Sequence, residues 1–548
     1  MVKNLFSLLY SRQTSILSGA FVIMATMMVA KILGLVRDRL LAHVFPPDTI
    51  DIFWAAFRLP DMLFSIIIFG TLSVAFIPVF TEYFENKGKE DAFDLARAIL
   101  HIFLAVFLLA AVLIYFLSPL LISKFIAPGF DEEKSKQVVS LTRIIIFGQA
   151  IFVFGAFFIG ILQSFQRFII PALAPIFYNF GIILGILLFT NNFGIKGAAF
   201  GVILGAIMHA LIQLPLVWSL GFRFEFPPKF FHPGVKEITR LVGMRTFGLA
   251  AEQINETVGL ALASLTPIVG SVTFLTFAQH LQVVPIGLFG VTLATAALPV
   301  LSSERARGKI EEFKITLLTT LHQILFLALP AAAILIVIRI PVVRLIFGAS
   351  QFNWEATVLT GLTLANLSIG LAAQAVSLLL IRGFYALKDT KTPVVVSLVV
   401  VSLNIILSVY FIVILKLDVW SIGFASSVSA LVSTTLLFWA LHIKVGKFNL
   451  RAVFIPLVKM LMATVIMGVA LYVPIKLLDQ VIFDTTRTVN LLILTGLSSL
   501  FALSIYVLLV WFLRVRELKT YADLLKRVVT FQSKLRSKEI ITPETGTV

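Results

Sequence analysis

The sequence predicts an all-α, polytopic membrane protein of about fourteen transmembrane helices. Of its 548 residues 59% are hydrophobic and 13% charged, where a soluble domain carries about 25% charged residues. Apolar runs of about 20 residues, the length that crosses a hydrocarbon core of about 30 Å, recur along the whole chain. The short alternating segments of a membrane barrel are absent, so helices are expected. Without a single cysteine, the chain has no disulfide, thiolate nucleophile or thiolate metal site.

The expected spans lie at 16–44, 52–82, 96–119, 138–163, 168–190, 195–220 and 235–265. They continue at 269–301, 313–338, 354–382, 392–415, 420–444, 452–477 and 488–514. Charges interrupt the first, second, seventh and eighth. Residues Met1 to Tyr10 lack the pattern of a cleaved signal peptide, so the first span is expected to be retained. The net charge of +16 follows from topology and does not require nucleic acid. One set of loops, with both ends of the chain, holds roughly 28 Lys and Arg against roughly 10 on the other side, which places both termini in the cytoplasm. The basic tail after Arg514, partly amphipathic from Tyr521 to Phe531, reads as a helix on anionic headgroups or as a solvated tail.

An internal repeat runs through this order. Phe69-Gly70 to Pro78-Val79 resembles Phe289-Gly290 to Pro299-Val300, and Asn179 in the fifth span matches Asn404 in the eleventh. The offset of roughly 220 residues corresponds to six spans, an even number, so the copies are parallel and related by an axis along the membrane normal. The expected organisation is an N-lobe at 1–228, a C-lobe at 229–447, two extra helices at 448–514 and a basic cytoplasmic tail at 515–548, with a central cavity between the lobes.

Charge within the greasy spans marks the candidate site. A charge at mid-membrane costs about 2.5–3.5 kcal/mol on insertion scales, so such residues face a partner or a wet cavity. Residues seven apart share a helix face; Lys31 and Asp38, Asp51 and Arg58, and Arg245 and Glu252 are so spaced. The first two pairs open the first lobe and the third opens the second. A cavity lined this way can host an anionic head group. The bland readings are pairing at a membrane face for Arg37, Asp38 and Arg39, a structural cap for Asp61, and an internal salt bridge for Arg245 and Glu252. Lys459 is expected to snorkel to the surface. Pro60, Pro78, Pro285 and Pro299 bend or break their helices. No HExxH, GxSxG, phosphate loop or aspartate cluster is present, so no catalysis and no cofactor are expected. Any transport runs on an ion gradient, the membrane potential or the substrate's own gradient.

Six ordered motifs resemble the MurJ (MviN) family of the MOP exporter superfamily. They are Lys31-Ile-Leu-Gly-Leu-Val-Arg37-Asp38, Phe57-Arg58-Leu-Pro60-Asp61, Ala75-Phe76-Ile-Pro78, Ala127-Pro128-Gly129-Phe130, Ala174-Pro175-Ile-Phe-Tyr-Asn179 and the stretch Gly383 to Pro393. The resemblance covers residues 15 to 515. It implies two six-helix lobes around a charged cavity, two extra helices, and the flipping of lipid II, an undecaprenyl-diphosphate-linked peptidoglycan precursor, to the outer leaflet. It also implies a bacterial cytoplasmic membrane, with membrane lipids and other cell-wall synthesis proteins as neighbours. The head-group residues would be Lys31, Arg37, Arg58, Arg245 and His280, with Asp38, Asp51, Glu252 and Asn404 orienting them or carrying coupling charge.

The departures from the family pattern matter as much. Lys31 and His280 stand where the family has arginine, and so does Phe64, one turn after the Leu-Pro of the second span. Lysine keeps the charge but loses the bidentate fork, and a histidine can make binding pH-dependent near its unperturbed pKa of about 6.5. Ser408 replaces the acidic residue of the sodium site found in some members. Arg245 and Glu252 appear where the family is apolar or small, so Arg245 is expected to restore part of the lost anion-binding charge. The alternatives are a flippase for another polyprenyl-linked glycan, a cation-coupled exporter of small amphiphiles, and a membrane scaffold.

Overall fold

The computed structural model describes residues 16–69, 75–225, 227, 230–478 and 487–523. Nearly all of them are helical and none lies in a strand, as composition predicts. The helices, in chain order, begin with α1 (Ile16–Val44), α2 (Pro47–Phe64), α3 (Ile77–Asn86), α4 (Lys89–Leu121) and α5 (Glu132–Ser164). Next come α6 (Ile169–Phe193), α7 (Ile195–Leu211), α8 (Leu214–Ser219), α9 (Pro233–Ser264) and α10 (Ser271–Pro285). Then follow α11 (Thr292–Ala306), α12 (Ile310–Val337), α13 (Arg339–Phe347), α14 (Trp354–Ile369) and α15 (Leu371–Ala386). The series closes with α16 (Lys391–Val409), α17 (Trp420–Lys444), α18 (Leu450–Leu478) and α19 (Thr488–Phe512).

Among the described residues ten helices are long and apolar enough to cross a membrane, or eleven if α14 and α15, bent by 44°, are one span. The other three expected spans are α1, α2 and α9, the helices that carry the charged motifs. In α2 Asp48, Asp51, Arg58 and Asp61 fall within 18 residues. Some side chains of α1 and α9 lie outside the described residues, and of these three helices only α2 is described throughout.

Contacts divide the chain into two compact units. The first comprises Met1–Val284, Val342–Leu367 and Val394–Ser429. Its α6 and α7 pack through glycines: a Cβ on Gly181 would enter the backbone of Gly205, and one on Gly185 the backbone of Gly201. Small residues at this spacing let backbones approach where lipid offers no hydrophobic drive. A phenylalanine-rich core around Phe76, Phe80, Phe107 and Phe157 holds α3, α4 and α5 together. The second unit comprises Pro285–Pro341, Ser368–Pro393 and Ala430–Val548. In it α12 packs on α15 and α18, and α18 on α19.

Prolines inside the helices explain several interhelical bonds. Proline cannot donate to the carbonyl four residues earlier, which then needs another donor. Pro60 leaves the Ala56 carbonyl, which accepts from Thr142 Oγ1 on α5 at 3.2 Å. Pro119 leaves that of Tyr115, which accepts from Arg143 Nε at 3.2 Å. In the second unit Pro330 leaves that of Phe326, which accepts from Tyr506 Oη on α19 at 2.9 Å.

Two local features recur at about the repeat spacing. A π turn follows α2 at Ser65–Phe69, and another follows α10 at Ile286–Val291, the second span of each copy. On α6, Asn179 Nδ2 donates to the Ala30 carbonyl of α1 at 3.3 Å. On α16, Asn404 Nδ2 donates to Asn255 Oδ1 of α9 at 2.9 Å. Each bond joins residues 149 apart in sequence, so the two asparagines hold corresponding turns of the helices that open each copy.

Candidate functional site: a paired-charge cluster in the first unit

The cluster begins on α1. Asp38 is 1% exposed, and a carboxylate so buried must be paired and hydrogen-bonded. Arg37 supplies most of this, Nε donating to Oδ1 at 2.9 Å and Nη2 at 2.8 Å. His280 of α10 engages the other oxygen, Nδ1 to Oδ2 at 2.7 Å. Arg37 Nη1 donates to Asn179 Oδ1 at 3.2 Å. Its guanidinium lies 5.4 Å from the Trp54 ring centroid, within cation–π range. His280 meets the same indole edge-on at 5.2 Å. Four helices thus fix one arginine, one carboxylate and one imidazole around a tryptophan.

Lys31 and the Trp54 indole lie on the same two helices, α1 and α2. Lys31, two turns before Asp38 and half-buried, makes no hydrogen bond or ion pair among the described residues. Trp54 Nε1–H is buried and unpaired. Asp38 balances the formal charge of Arg37, which leaves Lys31 as the excess cation. An ammonium and a guanidinium are both donors from which an oxyanion can accept.

Other predicted residues hold helices to one another. Arg58, 7% exposed, donates Nε to Thr257 Oγ1 at 2.8 Å and Nη1 to Glu256 Oε2 at 2.6 Å. Its Nη2 donates to both Gln253 oxygens, at 2.5 and 2.7 Å. Asp51 accepts from the backbone N–H and the hydroxyl of Thr273, both at 2.7 Å, and from Lys134 at 3.3 Å. Lys134 also pairs with Asp48. Asp51 thereby caps the first turn of α10, whose N–H groups need acceptors. Arg39 donates to the carbonyls of Leu345 and Ile346 at 2.7 and 3.0 Å, a bond to the last turn of α13. The Asp61 carboxylate accepts no hydrogen bond among the described residues, so it caps nothing there.

Glu252 is exposed and without a bonded partner among the described residues. The side chain of Arg245 lies outside the described residues. Asn404 is engaged by Asn255, and Ser408 Oγ lies 3.5 Å from its Oδ1. Phe64 is 2% exposed and packs edge-on against Phe152 at 5.1 Å. Among the described residues no group of His, Asp or Glu is placed to hold a metal ion.

Sequence reasoning missed Trp54, Thr273, Lys134, Gln253 and Asn255. Only Asn255 carried a signal: a polar residue between Glu252 and Glu256, one repeat on from Ala30. It also gave no role to Gly129, whose N–H donates to Ser264 Oγ at 3.2 Å and where a Cβ would enter the end of α9.

Membrane-length helices, interrupted by π turns and carrying buried paired charge, define a polytopic membrane protein. Solved structures share this fold. One is a lipid II flippase MurJ in an inward closed conformation, with TM-score 0.74, 23% identity, and coverage of 89% of this chain and 98% of that one. Another is an inward-facing multidrug resistance MATE transporter of the MOP superfamily, with TM-score 0.64, 16% identity, and coverage of 78% and 98%. The sequence profile of the lipid II flippase MurJ matches residues 42–510, and the chain belongs to that family. A probable lipid II flippase MurJ of Rhizobium meliloti is 30% identical over 388 residues, 69% of this chain and 72% of the relative.

Proposed function

We propose that this protein carries lipid II from the cytoplasmic to the outer leaflet of the bacterial cytoplasmic membrane, by alternating access and without ATP. Family membership supports the reaction. The observation that supports the site is Arg37 held by Asp38 and Asn179, with Lys31, which has no bonded partner among the described residues, two turns earlier on α1. A diphosphate and its sugar-peptide cannot enter hydrocarbon, whereas the polyprenyl tail can remain there, so the protein must supply only the polar half of the path. Lys31 and Arg37 take the diphosphate, Arg245 adds charge from the second copy, and Asp38 with His280 orients Arg37. Arg58 and Asp51 act through the helices they join. The lobes at 1–228 and 229–447 move about this site, driven by an ion gradient or the membrane potential, with both termini in the cytoplasm.

A second reading, another polyprenyl-diphosphate glycan, draws support from Phe64. The residue in the place of a family arginine is packed into the aromatic core, so the site carries one cation fewer. Complementation of a bacterium depleted of its own lipid II flippase separates the two. The wild type should restore lipid II on the outer leaflet, and well-expressed Arg37→Ala should not. Failure of a well-inserted wild type would transfer the proposal to the other glycan.

A further inference from the structure

The second unit contains a cavity of about 700 Å³ lined by none of the residues proposed for flipping. It lies where the N-terminus of α18, the middle of α12 and the chain just beyond α19 meet, on the face that the Lys and Arg bias assigns to the cytoplasm. Arg451, Lys459, Arg514 and Arg516 line it, and Glu517 is its one carboxylate. Glu517 is itself engaged, 3.6 Å from His322 Nδ1, with both side chains at most 10% exposed. Lys459 donates to the Leu513 carbonyl at 2.8 Å. The side chains of Arg451, Arg514 and Arg516 have no hydrogen-bond or ion-pair partner among the described residues. All three side chains are exposed, so an anion that enters the cavity can accept hydrogen bonds from their guanidiniums.

Local structure builds this cavity. Asn449 accepts from the Arg451 N–H at 3.1 Å and starts α18, so the positive end of a 29-residue helix faces the same space. At Arg514, φ is +53°, and the chain turns back over α12. Its continuation is held there by Tyr521, whose Oη donates to the Gln323 carbonyl at 3.3 Å and whose ring stacks on Phe326 at 5.3 Å. From the cavity wall at Ile455, an apolar stripe continues along α18 through Val458 and Met462. These residues are 53%, 52% and 54% exposed and share one helix face.

We propose that the cavity binds the phosphodiester headgroup of an anionic bilayer phospholipid, with an acyl chain along the Ile455–Val458–Met462 stripe. Guanidiniums and a helix N-terminus recognise phosphate oxygens, and the stripe gives the ligand its lipid character. A zwitterionic headgroup would place an ammonium among the arginines.

The test uses purified full-length protein in neutral detergent, titrated with phosphatidylglycerol or phosphatidylcholine and read as bound lipid by native mass spectrometry. Phosphatidylglycerol should bind at least about tenfold tighter than phosphatidylcholine, with the difference shrinking in high salt. Arg451→Gln/Arg514→Gln/Arg516→Gln should lose at least about tenfold for phosphatidylglycerol, and Lys196→Gln, outside the cavity, should lose none. The single variant Arg451→Gln, at an exposed position, covers the case in which the triple variant fails to fold, and should show a smaller loss of the same kind. Equal binding of the two lipids, or unchanged binding by both arginine variants, overturns the proposal. Displacement of phosphatidylglycerol by millimolar inorganic phosphate also overturns it, in favour of a soluble anion.

Discussion

Asp38→Asn tests whether the α1 cluster is an assembled unit. The carboxylate accepts bonds of 2.8 and 2.9 Å from Arg37 and 2.7 Å from His280, and is 1% exposed. Asparagine keeps the shape but removes the charge and turns an N–H₂ toward Arg37 or His280. A hydrogen bond to a charged group contributes about 1.5–3 kcal/mol, and removing one partner of a buried ion pair costs about 3–5 kcal/mol. Arg37 keeps Asn179 and is 13% exposed, which favours the low end, about 3 kcal/mol. Flipping should fall strongly, because Arg37 is released from its fixed geometry. The assay is thermal inactivation in one detergent alongside lipid II exposure. Measurements on Arg37→Ala, Asp38→Asn and the double variant complete a cycle. The double variant should lose about 2 kcal/mol less than the sum of the singles. Additive losses, or an Asp38→Asn protein as stable and active as the wild type, would refute the reasoning.

Arg58→Lys should destabilise by about 2 kcal/mol, since one ammonium cannot serve Thr257, Glu256 and both Gln253 oxygens in place of the fork. An unchanged melting temperature would remove Arg58 from the α2–α9 junction. Gly185→Ala should cost about 1–3 kcal/mol, because its Cβ enters the backbone of Gly201; Gly496→Ala, with open space around it, is the control, and equal effects would end the argument. At the loop before α16, burial alone would raise the Asp389 pKa. Hydrogen bonds from Lys444 at 2.5 Å and from Thr392 outweigh it and hold the carboxyl well below its usual 3.8. A group depressed in the folded state stabilises above its unfolded pKa and loses that contribution as the pH falls toward the folded one. Asp389→Asn should therefore lower the melting temperature at neutral pH, with the gap to wild type narrowing below about pH 4. A gap independent of pH would place the effect elsewhere.

The sequence by itself determined that this is a helical membrane protein, because hydrocarbon admits few ways to satisfy a backbone and each leaves a length and composition signature. It also matched Asn179 with Asn404, since duplicated motifs preserve their spacing, while the bonds these two make to Ala30 and Asn255 came from the structure. It located the charged stretches, because mid-span charge is costly wherever it occurs. Tertiary structure alone decided what each charge touches. Lys31 and Asp38 share a face seven residues apart, yet Asp38 is enclosed by Arg37 and His280 while Lys31 has no bonded partner among the described residues. Asp51 and Arg58 have the same spacing, yet one caps α10 and the other ties down α9. Spacing along one helix fixes the direction in which a side chain points. Its partner comes from another helix hundreds of residues away, and no local periodicity encodes which helix that is.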